Sequence, residues 1–345
     1  MRAIAVLLVV WTHYAEAFVN FAGSQFYLDD IQKSVNFGRI GVVLFFAISG
    51  FLIPSSLKGD PGEGTRRFLI RRFFRLFPAY WVSLPLGYFA VWWLYGRSLT
   101  PMDIVAGFTM VQGLLGFEHI MGHYWTLETE LLFYAACLGL FWTGTIRQFQ
   151  VLAAVSTLLA VGFCAVMAMS LIPDTWHGAY KGLLFHIAIM FWGACIRCAY
   201  DGNIKSSDRI VLVGVTGLIL AIGAAISIKG LIASDFAHVS SGFAYILGVA
   251  AFLFFLLVWK IEFGAAAWMG RISYSLYLLH PVALYAVSWF CTTYGITGLP
   301  LGAYLVVTLI PAVGLAWWSF YFVEQTGIDI SNRLTGSRVA VHAAL

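Results

Sequence analysis

Charge is scarce in this chain. Asp, Glu, Lys and Arg together make up 10% of its 345 residues, while 61% are hydrophobic. Soluble domains carry about 25% charge, so the composition excludes one and points to a chain that lives in lipid. Cysteine is also sparse. Of the five present, Cys195 and Cys198 form a C-x-x-C, but no second such pair and no His pair completes a zinc-type site. They read as packing residues, and no metal is expected. Internal repeats are missing, and with them the paired halves usual in carriers. A net charge of +4 gives no reason to expect a nucleic-acid partner. The apolar N-terminus lacks a small-x-small cleavage site and is interrupted by His13 and Glu16, so it reads as a retained helix rather than a signal peptide.

What is present is apolar sequence in span-length blocks. They fall at about 3–22, 38–57, 77–96, 124–143, 149–172, 182–199, 209–229, 242–259, 273–293 and 300–322. A shorter, glycine-punctuated stretch at 102–117 is either a span or a re-entrant piece, and the positive-inside rule separates the two. If it does not cross, fifteen of the 20 Lys and Arg fall on the side of the N-terminus. If it does cross, only nine do. The expected fold is therefore all-α: a polytopic integral membrane helical bundle of about ten transmembrane helices plus a short re-entrant segment, with both termini cytoplasmic. Residues 1–323 form the transmembrane domain and 324–345 a short cytoplasmic tail. Aromatics at 17% suit interfacial belts and a packed helical bundle.

The ionisable residues inside these blocks are the functional candidates, because each is expensive in hydrocarbon. Arg2 and His13 lie eleven residues apart, three turns plus about 20°, so they share a helix face with a rise of about 16 Å between them. An anion held at Arg2 can send an arm of that length to His13; a snorkelling Arg and a packed His fit the spacing as well. In RRFLIRRFFRLFPAYW (66–81), Arg67, Arg71, Arg72 and Arg75 fall within about 140° of a helix circumference, with Leu and Phe filling the rest. This is an amphipathic basic helix at the interface, with Pro78 opening the next span. It suits an anchor for anionic lipid or a clamp for a polyphosphate. Glu128 and Glu130, in GHYWTLETELLFY, enter a span on different faces, and each needs a partner there. His119 and His123 read as interfacial residues and His186 as a packed one. The glycines and Ser49 of IGVVLFFAISGFLI allow close helix packing. Pro281 frees a carbonyl one turn earlier and bends its helix at His280. Ser273, Tyr277 and His280 share one face, so that helix faces a polar cavity.

Five segments taken together carry a resemblance. They are RAIAVLLVVWTH (2–13), GVVLFFAISGFL (41–52), RRFFRLFPAYW (71–81), WTLETELLFY (125–134) and ISYSLYLLHP (272–281). In this order they resemble the membrane acyltransferase-3 family, whose bacterial members O-acylate cell-surface polysaccharides. The resemblance implies a ten-span bundle in the bacterial cytoplasmic (inner) membrane, an acyl-CoA donor, most simply acetyl-CoA, and a glycan or lipid-linked glycan acceptor. By motif, Arg2 and His13 match the family's R-x10-H, Arg72 and Arg75 its R-x-x-R, and Glu130 the carboxylate of its tryptophan-led motif. His13 and Glu130 are then the catalytic residues, His13 as general base, with Glu16 or Glu130 to orient it; a covalent acyl-histidine stays open. Arg2, Arg72 and Arg75 hold the CoA phosphates. Thr126 and Leu132 stand where the family usually has Ser and Gln, and the family usually has several residues before the motif arginine. The family's frequent C-terminal hydrolase-like domain is absent, so the chain is expected to act alone or with separate partners, in contact with membrane lipids, and a homo-oligomer is compatible. The alternative from another class is a proton-coupled transporter or flippase for an acidic or lipid-linked substrate.

Overall fold

A computed structural model describes residues 1–22, 35–171, 178–259 and 263–336. The loop at 23–34, the end of the tail at 337–345, and Lys33, Lys260 and Arg338 of the charge count lie outside the described residues. The helices are α1 (Arg2–Phe18), α2 (Phe37–Leu52), α3 (Pro61–Gly87), α4 (Pro101–Gly107), α5 (Trp125–Trp142), α6 (Phe149–Ala168), α7 (Gly178–Lys181), α8 (Leu183–Tyr200), α9 (Ser206–Ile232), α10 (Phe236–Leu257), α11 (Gly264–Arg271), α12 (Ser273–Tyr294), α13 (Leu301–Ser319) and α14 (Gln325–Leu334). Among the described residues there is no strand.

Seven of the helical segments are long and apolar enough to cross a membrane: those built on α2, α6, α8, α9, α10, α12 and α13–α14. The chain is a multi-pass helical membrane protein. The other three expected spans are helices too, and each carries polar groups or is short. α1 has 17 residues, α3 holds the arginine cluster, and α5 opens with Glu128 and Glu130. These are also the helices that bear Arg2, His13, Arg72, Arg75 and Glu130.

α2 is the central element and packs on α1, α8 and α10. Glycine makes this possible. A Cβ on Gly41 would stand 2.5 Å from the Ala5 carbonyl oxygen, and one on Gly50 1.8 Å from that of Met190. Close backbone approach is how helices gain packing contact where lipid supplies no hydrophobic drive. α9, by contrast, turns Ile210, Val213 and Ile232 outward, each more than 70% exposed, as a lipid-facing helix should.

Two expectations change. Residues 66–81 are not an interfacial helix followed by a new span at Pro78. α3 runs unbroken from Pro61 to Gly87 with Pro78 and Pro85 inside it, then continues through a π turn, Tyr88–Trp92, and a 3-10 turn, Trp93–Tyr95. Pro78 lacks the N–H that would bond the Phe74 carbonyl, and α14 packs there: a Cβ on Gly327 would be 2.2 Å from that oxygen. Residues 325–334, expected in the tail, thus extend the last helix and lie against α3.

The stretch at 102–117 makes only the seven-residue α4, capped by a Thr100–Asp103 box, and then turns. At 1.5 Å per residue such a helix covers about 10 Å, so it does not span. It is sewn to its neighbours by polar bonds: Tyr80 OH to the Gly107 carbonyl at 2.6 Å, Trp81 Nε1 to that of Phe108 at 3.0 Å, and Gly113 N–H to Glu128 Oε1 at 2.7 Å.

Candidate active site

Three cavities meet end to end inside the bundle. The first, 630 Å³, opens between the start of α1, α11 and the π turn Phe320–Glu324 that leads into α14, and is lined by Arg2, Arg75 and Glu324. Arg2, Ile48 and Arg75 also line the second, a narrow 90 Å³ space that adds Arg72, Glu130 and Tyr134. Val42, Thr126 and Tyr277 are then shared with the third, 700 Å³, which contains His13, His123 and His186. At this last junction Thr126 Oγ1 and Tyr277 OH are hydrogen-bonded at 2.6 Å, and Tyr277 OH is also 2.9 Å from the His123 carbonyl.

The arginine end is under-satisfied. Arg2 and Arg75 make no hydrogen bond or ion pair with any described residue. The Arg72 guanidinium lies over the rings of Phe68 and Tyr134, 5.4 and 5.5 Å from their centroids, and its buried Nε has no partner. Glu130 does not neutralise them at contact range; it accepts from Ser49 Oγ at 3.1 Å and Tyr134 OH at 2.6 Å. Ser49, expected as a packing residue, is therefore a cavity donor. Glu324, which the sequence pattern did not single out because it closes an apolar run, is buried and accepts from Ser275 at 2.9 Å. Three guanidiniums around one narrow space, short of acceptors, form a site for an anion with several oxygens.

The histidine end is arranged differently. Pro281 has no N–H for the Tyr277 carbonyl. That freed oxygen accepts from His280 Nδ1 at 2.8 Å. A carbonyl only accepts, so Nδ1 carries the proton, and Nε2 of the neutral ring is an acceptor. His13 Nδ1 lies 2.8 Å from it, with the two rings 5° from parallel, and must donate. This leaves His13 Nε2 with a bare lone pair and no described partner. The proline that the sequence marks as a helix bend thus sets the tautomer of a histidine 267 residues from His13 along the chain. His13 is oriented by His280, not by Glu16 or Glu130. The shared face of Ser273, Tyr277 and His280 was legible; the contact with α1 was not.

The two carboxylates of α5 separate as their spacing requires. Glu130 faces the arginines. Glu128 is buried on another face, where it holds Gly113 N–H and His119 Nε2 (3.2 Å) and accepts from Tyr180 OH. His119, expected as an interfacial residue, is thereby part of a structural knot. His123, expected likewise, is buried beside Tyr277 and His280 with Nε2 unpartnered.

A family model, the acyltransferase domain, matches residues 1–321. The chain belongs to the acyltransferase-3 family. No curated protein and no solved structure shows a significant match. In this membrane acyltransferase the R-x10-H arginine and histidine sit in successive cavities of one series, and the R-x-x-R arginines join Arg2 at the narrow part.

Proposed function

We propose that this acyltransferase moves an acyl group, most simply acetyl, from acyl-CoA to a hydroxyl of an exported or cell-surface glycan. The observation that carries the reading is the cavity series, which leads from unpaired arginines to an imidazole with a free lone pair. The arginine end would hold the CoA phosphates, and the pantetheine arm would pass the narrow space toward Thr126 and Tyr277. At His13 the acceptor hydroxyl oxygen attacks the thioester carbon while Nε2 takes its proton. The C–S bond then breaks and the proton returns to the leaving sulfur, giving the ester and CoA. General-base catalysis of this kind is worth about 10²–10⁴-fold. His280 Nε2 keeps accepting from His13 Nδ1–H as the ring becomes an imidazolium, and so supports the charge. Glu130, tied to Ser49 and Tyr134, would hold the arginine fork in place from below.

The same reading has ten spans in a bacterial inner membrane, with the arginine end and both termini on the cytoplasmic side, an orientation that the distribution of Lys and Arg supports. Transfer from radiolabelled acetyl-CoA to membrane glycan, in wild type, His13→Ala and Arg75→Ala, tests the proposal. Loss of transfer with CoA binding kept in His13→Ala, and loss of CoA binding in Arg75→Ala, support it. Full activity in both variants would sink the site assignment, and a wild type that neither binds nor turns over any acyl-CoA would return the carrier reading.

A further inference from the structure

The histidine-end cavity holds a cation that the chemistry above does not use. Arg39, in the first turn of α2, lines it together with His13, His186 and Trp125. Its guanidinium is held by one buried residue, Tyr245. NH1 donates to Tyr245 OH at 3.0 Å, and its carbon lies 5.4 Å from the centroid of the same ring. Tyr245 is buried and in turn fixed. Its hydroxyl, which accepts from Arg39, is also hydrogen-bonded to His186 Nε2, 2.9 Å away. The other ring nitrogen of His186, Nδ1, is buried without a partner. His186, expected to be a satisfied packed residue, is satisfied on one side only.

Arg39 has five N–H donors and spends one on Tyr245. No described carboxylate lies within ion-pair range of it. Glu16 lines the same cavity and is exposed. A cation that only snorkels needs no buried tyrosine–histidine buttress. One held rigid, with free donors facing a cavity that contains a catalytic base, is organised to read an oxyanion. Trp125, half-buried in the same wall, offers the apolar face against which a sugar ring packs, in the usual mix of aromatic lining and a few placed polar groups.

We infer that Arg39, braced by Tyr245 and His186, binds an anionic group of the acceptor, so that the substrate class is an acidic glycan bearing a carboxylate or a phosphate. This rests on the reading of the His13 cavity as the acceptor side. A carboxylate would come from the sugar itself; a phosphate would come from a substituent or from the diphosphate of a polyprenyl-linked glycan. Either places an anchor in the cavity wall and leaves a neighbouring hydroxyl for His13.

The test is direct binding by the purified full chain in a neutral detergent, free of anionic lipid. The ligands are an oligosaccharide ending in glucuronate, its glucose-ended counterpart and a polyprenyl diphosphate. Wild type is expected to bind at least one of the anionic ligands about tenfold or more tightly than the neutral sugar. Arg39→Gln is expected to abolish that preference, Arg39→Lys to keep part of it, and Tyr245→Phe to weaken it several-fold. Which anionic ligand depends on Arg39 identifies the source of the anion. CoA binding reports that each variant is folded, since it belongs to the opposite end of the cavity series. Equal binding of charged and neutral ligands by wild type, or an undiminished preference in a folded Arg39→Gln, overturns the inference. If wild type fails to turn over acyl-CoA, the proposed transferase function falls, yet anion binding at Arg39 still stands or falls on these affinities alone.

Discussion

The two ends of the cavity series solve opposite problems. At the arginine end, Arg2 and Arg75 have no acceptor among the described residues, and Arg72, beyond a 3.4 Å bond to Ser56 Oγ, rests on aromatic rings with Nε unpartnered. At the histidine end, every proton from the Tyr277 carbonyl to His13 Nδ1 has an assigned place. The first arrangement is high in energy without a ligand, because buried or half-buried charge with no partner is costly. That cost is recovered when an anion arrives. The relay from the Tyr277 carbonyl through His280 to His13 is satisfied at rest and leaves one lone pair, His13 Nε2, for the chemistry. Under-satisfied guanidiniums mark the place that binds; a relay satisfied up to one atom marks the place that reacts.

The sharpest way to break this comparison is to remove the reacting atom. His13→Ala should lower acyl transfer by about 10²–10⁴-fold with CoA affinity unchanged, measured by radiolabel transfer beside equilibrium CoA binding. A matching loss of CoA affinity would erase the distinction between the ends. Next in size is the tautomer relay. His280→Leu leaves His13 Nδ1–H without an acceptor and should cost about 10²-fold in transfer, since a buried donor left unmade costs about 1–3 kcal/mol. His280→Gln, whose amide oxygen can reach the place of Nε2, should recover much of that rate. Equal loss in both variants would reduce His280 to a packing residue.

At the other end, Arg75→Ala should weaken CoA binding by about 10- to 100-fold, the worth of one charge-assisted hydrogen bond, with a salt-sensitive residue of affinity left from Arg2 and Arg72. Smallest is the contrast inside α5. Glu128→Gln should lower thermal stability by about 1–3 kcal/mol, because Glu128 gathers Gly113 N–H, His119 and Tyr180, and should leave the rate per folded molecule intact. Glu130→Gln should do the reverse: little change in melting temperature and a measurable rise in the KM for acyl-CoA. If the two variants behaved alike, the division of labour between these carboxylates would be wrong.

Much of this was legible in one dimension. The apolar blocks located the helices, and the failure of 102–117 to cross followed from charge counting before α4 was seen to be seven residues long. Arg72, Arg75 and Glu130 were marked by being too costly to leave in lipid without purpose. Pro78 misled because a proline inside a long helix and one at a helix start look alike in sequence. The unbroken helix prevails because Gly327 can sit against the Phe74 carbonyl. His186 misled because a packed histidine and a buttress for Arg39 differ only in what lies across the cavity.

By itself the sequence determined that the chain is a helical membrane protein, which family it belongs to, and which ionisable residues must find work inside the bundle. Helix periodicity and the cost of burying charge are local properties that one strand of text records. Only the tertiary structure decided that His280 rather than a glutamate faces His13, that Glu128 knots the fold while Glu130 joins the arginines, and that Arg39 stands braced in the wall of the histidine cavity. Those are contacts between helices far apart in the chain. Hydrogen bonds depend on positions to within a few tenths of an ångström, and only the packing of α1, α2, α5, α8, α10 and α12 against one another sets those positions.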